Sequence, residues 1–222
     1  MQHTALLMPA AGKGLRLGGP RKQFRHLGGA PVWIQTLRTF DRHPDVTHLV
    51  VACPVDDVSD MQEAVEASAI KTPCTVVAGG ATRQASVQHA LDAAPAGTDI
   101  VLVHDAVRPF VTQSGISAVI DAVRREGAGA LAIPVADTLR AGTDGTFEST
   151  IPRAGLYRMQ TPQGFRTAWL RTALERAPDN LATDDVGLVQ AAGYPVRIVP
   201  GSALNFKITT PEDWRLAERL FG

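Results

Sequence analysis

The chain has 222 residues, 45% apolar and 20% charged, and its 22 basic and 22 acidic side chains cancel to a net charge of zero. This length suits one domain, spanning 1–222, that buries about 70% of its unfolded surface without metal or disulfide support. No apolar run approaches the roughly 18 residues that span a bilayer. Met1 to Pro9 is too short for a secretory core, and Cys53 and Cys74 fit reduced thiols, so a cytoplasmic protein that engages no membrane is expected.

In chain order, Ala5–Met8 reads as a strand and Val32–Phe40 as a helix. Strand His48–Ala52 precedes an acidic-faced helix from Val55 to Ala69. Strand Thr75–Ala78 precedes helix Arg83–Ala93, and strand Ile100–His104 precedes helix Ser114–Glu126, whose Ile116, Val119, Ile120 and Val123 fall at helical spacing. Ala130–Pro134 is a fifth strand. Short apolar runs with little alternation suit strands covered on both faces, hence an α/β fold with a mostly parallel sheet flanked by helices. From Asp137 to Thr161 the rhythm breaks around turn residues Gly142–Gly145, which predicts a β-arm leaving the main body, with an ordinary surface loop as the other reading. Helices Thr167–Arg176 and Asp184–Ala192 and strand Val196–Val199 follow. Thr210-Pro211-Glu212-Asp213 offers a Thr N-cap, Pro at the first helical position and a carboxylate at the third, which starts a last helix.

The charge is unevenly placed. Residues 1–40 hold Lys13, Arg16, Arg21, Lys22, Arg25 and Arg38 and no acid, so this segment is +6 and the rest is −6. A nucleic-acid-binding face would be basic more broadly. A local cationic site for a small, highly charged anion fits, and from charge alone a solvated basic loop fits equally.

The cations sit in the segment after the first strand, Pro9-Ala10-Ala11-Gly12-Lys13-Gly14-Leu15-Arg16, continuing through Pro20-Arg21-Lys22. Ligands of open α/β sheets bind beyond the carboxyl ends of strands. Gly12 and Gly14 let backbone N–H groups approach phosphate oxygens, and Arg16 and Lys22 can neutralise a triphosphate. A Walker A loop is excluded because Lys22 is followed by Gln23. The dinucleotide fingerprint is excluded by Leu17 in the place of its third Gly and by Cys53-Pro54 where an acid is needed.

Ala10-Ala-Gly-x-Gly-x-Arg16 with Pro20-x-Lys22-Gln-Phe resembles the signature loop of Rossmann-like sugar-phosphate nucleotidyltransferases. Further blocks narrow the resemblance: Gly79-Gly80-x-x-Arg83-x-x-Ser86, Val103-His-Asp105-Ala-Val-Arg108-Pro, Pro134-Val-x-Asp137-Thr138, Arg153 with Gln160-Thr-Pro-Gln, Thr183-Asp184-Asp185, and Asn205-Phe-Lys207. In this order they are similar to the 2-C-methyl-D-erythritol 4-phosphate (MEP) cytidylyltransferases of isoprenoid biosynthesis over nearly the whole chain. The ribitol-5-phosphate cytidylyltransferases share most blocks and stand as the alternative. A non-catalytic nucleotide-binding module is a further one, but it has no reason to keep Lys207, Thr138 and Arg153 together with the loop.

The resemblance implies transfer of a cytidylyl group from CTP to the polyol phosphate, by in-line attack of the acceptor phosphate on the α-phosphorus, with pyrophosphate leaving. It implies that Arg16 and Lys22 hold phosphates and that Lys207 stands near the α-phosphate and the attacking group. Ala10, Ala11, Gly12, Gly80, Arg83 and Ser86 line the nucleotide side, Asp105 stands near ribose and polyol, and Arg108 and Thr183 lie on the acceptor side. Thr138 and Arg153 on the arm reach a second subunit's site in a homodimer. Mg²⁺ or another divalent cation is expected to arrive with CTP, with no dedicated protein metal site. Read without the resemblance, Asp105 is equally a turn or capping acid, Ser86 a capping or exposed residue, Thr138 a strand residue, Thr183-Asp184-Asp185 an N-cap, and His104 a packed strand-end histidine. Leu204 departs from the family, where an acid is frequent, and Arg21 is an added cation.

Overall fold

The computed structural model describes residues 2–12, 22–177 and 183–222, apart from the Lys22 side chain. Its elements are β1 (His3–Pro9), β2 (His26–Leu27), β3 (Ala30–Pro31), α1 (Val32–Asp41), β4 (Val46–Cys53), α2 (Val58–Glu66), β5 (Cys74–Ala78), α3 (Arg83–Asp92) and β6 (Thr98–Val103). They continue as α4 (Gln113–Glu126), β7 (Ala128–Pro134), β8 (Leu139–Thr143), β9 (Thr146–Ile151), β10 (Tyr157–Arg166), α5 (Thr167–Arg176), α6 (Asp185–Ala191), β11 (Arg197–Pro200) and α7 (Pro211–Phe221).

Seven strands form the central sheet in the order β11-β7-β10-β6-β1-β4-β5. All neighbours are parallel except β10, which runs antiparallel to both β6 and β7. The expected mostly parallel α/β fold is therefore present. Alternate side chains of each strand enter opposite layers, as the strand period of two requires. Leu6 and Met8 join Trp33, Leu37 and Phe40 of α1 and Ile116, Val119 and Ile120 of α4 on one face. Leu7, Val101 and Val103 join Val87 and Leu91 of α3 and Leu170 of α5 on the other. Full burial of each such side chain is worth about 1.5–3 kcal/mol, which makes both faces of the sheet cohesive.

Two local readings change. The helix expected from Val55 begins as a 3-10 turn, Val55–Asp57, and becomes α-helical only at Val58. The excursion expected over 137–161 is shorter. Within this segment β8 and β9 pair as a two-stranded sheet apart from the main one, from Leu139 to Ile151. Residues Tyr157–Thr161 instead open β10 in the middle of the main sheet. The strand is hidden in the sequence because its buried residues include the polar Gln160, Thr161 and Gln163, and because Pro162 can donate no ladder hydrogen bond. The register accordingly shifts between Met159 and Gln163.

Candidate active site

In the parallel part of the sheet, β5, β4, β1 and β6 all point their carboxyl ends to one edge, and the chain leaves β1 at Ala10, β5 at Gly79 and β6 at His104 there. Because β10 is antiparallel and pairs Gln163 with Val103, its Thr161 reaches the same edge. The residues following β11 also arrive there, with Gly201 N donating to Ala132 O.

The start of the loop after β1 is held from within. Ala10 N donates to Ala52 O at 2.7 Å. The buried Gln23 amide donates to Ala10 O at 2.9 Å and Gly12 O at 3.0 Å. Arg16 lies outside the described residues, as does the Lys22 side chain; Lys22 begins a 3-10 turn that ends at Phe24. In the sequence Gln23 is visible only as part of a motif, and its double donation is not legible there.

Gly79 and Gly80 turn the chain from β5 into α3. A Cβ on Gly79 would lie 2.7 Å from Ala11 Cβ and 2.9 Å from Ser86 Oγ, and one on Gly80 would lie 2.3 Å from Ala85 Cβ. Two expected nucleotide-side residues, Ala11 and Ser86, therefore converge on this turn. Ser86 Oγ accepts from Gly80 N at 3.1 Å and donates to Thr82 O at 2.9 Å, so its buried hydroxyl shapes the turn. Thr82 caps α3 by accepting from Ala85 N.

The charged centre forms where β6 ends. Asp105 Oδ2 lies 3.0 Å from Lys207 Nζ and 3.1 Å from Arg108 Nε, and its Oδ1 lies 4.0 Å from Arg83 Nε. Arg83 Nη2 also meets the fully buried Asp185 at 2.7 Å. Burial alone would raise the Asp105 pKa, but Lys207, Arg83 and Arg108 override it and hold the carboxyl well below the usual carboxylate range. Burial likewise acts to discharge Arg83, but Asp185 and Asp105 override it and keep the guanidinium charged. Asp184 acts on Arg83 as a further carboxylate, so the three cations are closely matched by acids, and Lys207 is the most exposed of the three. The segment that carries Lys207 is strapped down by Arg108 Nη1 donating to Asn205 O at 2.9 Å and by Ile208 N donating to Val107 O. Val107 and Ile208 share a small apolar cluster with Leu27, Val32 and Ala217, and Phe110, Phe206 and Phe221 pack against it, so α7 pins these loops together.

The structure thus brings together Arg83, Asp105, Arg108 and Lys207 in one cluster, and Ala11, Gly80 and Ser86 around one turn. Thr183 is exposed and directly precedes Asp184, the N-cap of α6, so the capping role falls to the aspartate. Thr138 and Arg153 are exposed and flank the two ends of the β8–β9 hairpin, with an Arg153 guanidinium N–H donating to Ala136 O. Among the described residues, no hydrogen bond or ion pair joins them to the Asp105 cluster. In the sequence Asp185 is visible only as part of a capping run; its complete burial is what marks it as a partner of Arg83. Leu204 is exposed. Among the described residues no group of three or more His, Cys, Asp or Glu could hold a metal ion. Asp105, engaged by three cations, is a poor ligand for another.

The chain matches the family described as IspD, 2-C-methyl-D-erythritol 4-phosphate cytidylyltransferase, over residues 4–222. It is 55% identical to the Salinibacter ruber 2-C-methyl-D-erythritol 4-phosphate cytidylyltransferase, over 98% of this chain and 92% of that one. It is 45% identical to a bifunctional IspD/IspF enzyme of Desulforudis audaxviator, covering 100% of this chain but 57% of that protein. The crystal structure of 2-C-methyl-D-erythritol 4-phosphate cytidylyltransferase from Thermus thermophilus superposes with a TM-score of 0.82 at 40% identity, covering 100% of this chain and 99% of that one.

Proposed function

This chain belongs to the 2-C-methyl-D-erythritol 4-phosphate cytidylyltransferase family, and from that premise we propose which of its residues carry out the transfer. The reaction is cytidylyl transfer from CTP to MEP. An oxygen of the acceptor phosphate forms a bond to the α-phosphorus of CTP, the bond from that phosphorus to the bridging oxygen breaks, and pyrophosphate departs with the electron pair. No side chain becomes covalent, so catalysis rests on alignment and on neutralising charge as it moves to the leaving oxygen.

The observation that carries the assignment of roles is the Asp105–Arg108–Lys207 cluster beside the Gly79–Gly80 turn. Lys207 meets the α-phosphate and the attacking oxygen. Arg16 and Lys22 hold the triphosphate. Ala10, Ala11, Gly12, Gly80 and Ser86 present backbone groups and shape to cytosine and ribose, and Arg83 supplies charge on the same side. Asp105 orients Lys207 and faces ribose and polyol, while Arg108 and Thr183 serve the acceptor. A divalent cation carried by CTP would add to the neutralisation of phosphate charge that Arg16 and Lys22 supply. Thr138 and Arg153 act on the site of a second copy of the chain, brought there by the β8–β9 hairpin. Exposed Phe147 and Ile151 on that hairpin support this reading, because a partner surface would cover them. We place the reaction in the cytoplasm; among the described residues no helix is long and apolar enough to cross a membrane.

The test is pyrophosphate release from CTP with MEP, with ribitol 5-phosphate, and with no acceptor. Release only with MEP supports the reading, and release only with ribitol 5-phosphate overturns the acceptor. UTP forms a second arm. Uracil exchanges the cytosine amino donor for an acceptor, and a site built to hydrogen-bond that edge discriminates by several orders of magnitude. Equal turnover of UTP and CTP would overturn the nucleotide assignment.

A further inference from the structure

His104 is completely buried where β6 ends, between the strand and the charged centre. Its Nδ1 lies 2.9 Å from Thr161 Oγ1, and its Nε2 lies 3.0 Å from Arg108 O. Thr161 Oγ1 also lies 3.1 Å from Asp105 N. Burial pushes the His104 imidazole down to about 4, so the ring is neutral near pH 7, and for a neutral ring these contacts admit one arrangement of protons. The amide of Asp105 can only donate, so it donates to Thr161 Oγ1. The carbonyl of Arg108 can only accept, so His104 carries its proton on Nε2. His104 Nδ1 is then an acceptor, and the Thr161 hydroxyl donates to it. The chain of donation runs from Asp105 N–H through Thr161 and His104 to Arg108 O, spanning both ends of the turn that Arg108 N closes on Asp105 O at 3.2 Å. Its ends belong to the two residues whose side chains meet at 3.1 Å beside Lys207.

We propose that His104 and Thr161 are positioning residues for cytidylyl transfer: together they hold the 104–108 turn in the shape in which Asp105 orients Lys207. The inference rests on the reading of Lys207 and Asp105 given above. Three observations support it. The ring is buried, so no water replaces a lost partner. Thr161 comes from β10, and Asn205 Nδ2 donates to Thr161 O at 2.8 Å, so the same residue also anchors the segment that carries Lys207. Packing of His104 against Phe40, with ring centroids 4.7 Å apart, fixes the plane of the imidazole without supplying a hydrogen bond. Packing and hydrogen bonding can therefore be separated by substitution.

The experiment compares wild type, Thr161→Val, Thr161→Ser, His104→Gln and the double variant Thr161→Val/His104→Gln, measuring kcat and the KM for CTP and for MEP. Valine keeps the shape of threonine and removes the hydroxyl; serine keeps the hydroxyl. Thr161→Val is expected to lower kcat about tenfold or more and to change the KM for CTP less than about threefold, as for an interaction that acts in the transition state. Thr161→Ser is expected to retain at least half of wild-type kcat. The double variant is expected to fall within about twofold of the slower single variant, because both substitutions break one chain. Wild-type kcat in Thr161→Val, an equal loss in Thr161→Ser, or multiplicative losses in the double variant would overturn the proposal. Should Thr161→Val not fold, ¹⁵N-labelled histidine in the wild type decides: the signal absent from His104→Gln must show Nδ1 bare and Nε2 protonated at neutral pH, and any other state overturns it. Failure of the functional reading is distinct, since the wild type itself would then release no pyrophosphate from CTP and MEP.

Discussion

Lys207 Nζ lies 3.0 Å from Asp105 Oδ2, and the same carboxylate oxygen receives Arg108 Nε at 3.1 Å. One buried anion thus fixes a partly exposed lysine while leaving it able to turn toward an incoming phosphate. A charge-assisted hydrogen bond contributes about 1.5–3 kcal/mol. Lys207→Ala should therefore lower kcat/KM by about tenfold to a hundredfold, measured by pyrophosphate release. Its thermal midpoint should shift by a few degrees at most, because the ion pair is open to solvent on the lysine side. Unchanged kcat/KM would remove Lys207 from the chemistry.

The depressed pKa of Asp105 sets the sign of a pH effect. Its unfolded value is the ordinary 3.8, and its folded value lies well below that. The group contributes its full stabilisation above pH 3.8, and this is lost as the pH falls from there through the folded value. Asp105→Asn should be destabilised by a constant amount between pH 5 and 8, and the gap to wild type should narrow only below about pH 4. Urea melts across that range provide the check, and a gap that closes near neutrality would contradict it.

The Gly79–Gly80 turn admits no side chain. A methyl at Gly80 would sit 2.3 Å from Ala85 Cβ on the first turn of α3, which cannot swing away as a long side chain could. Overpacking of this kind typically costs about 1–3 kcal/mol. Gly80→Ala should lose stability in that range and raise the KM for CTP, whereas Gly12→Ala, whose added carbon meets nothing within 4 Å among the described residues, should lose less stability. Paired denaturation and kinetics on the two variants test the contrast.

The two-chain reading of Arg153 is tested by complementation. Arg153→Ala and Lys22→Ala should each be nearly inactive alone. In a heterodimer of the two, one site carries both defects and the other takes Lys22 from one chain and Arg153 from its partner. Activity should recover toward one working site per heterodimer, with assembly verified by native mass spectrometry. Verified heterodimers no more active than their parents would place Arg153 in its own chain's site or outside any site.

The α/β layering was legible in the sequence, because apolar runs of four or five residues, too short for helices and alternating with longer amphipathic stretches, suit strands covered on both faces. The sequence also determined the start of α7, where Thr210 accepts from the backbone as side chains of that type do at helix N-termini, whereas α4 starts at Gln113, one residue before the Ser114 expected from the sequence, with Thr112 as its cap. Thr210 with Asp213 completes a reciprocal cap that was legible four residues at a time. The ordered motif blocks disclosed the family and the identities of Asp105, Arg108 and Lys207. Only the tertiary structure decided that these three meet, because contact between Asp105 and Lys207 depends on strand order and on how α7 pins the final loops. Only it decided that β10 enters the middle of the sheet, a strand whose polar interior residues carry no hydrophobic periodicity. The roles of Gln23, Thr161 and Asp185 were hidden for the same reason: a polar residue buried by its neighbours looks, in one dimension, like a polar residue in a loop. What separates the two is the loss of water around it, and that is a property of the assembled fold.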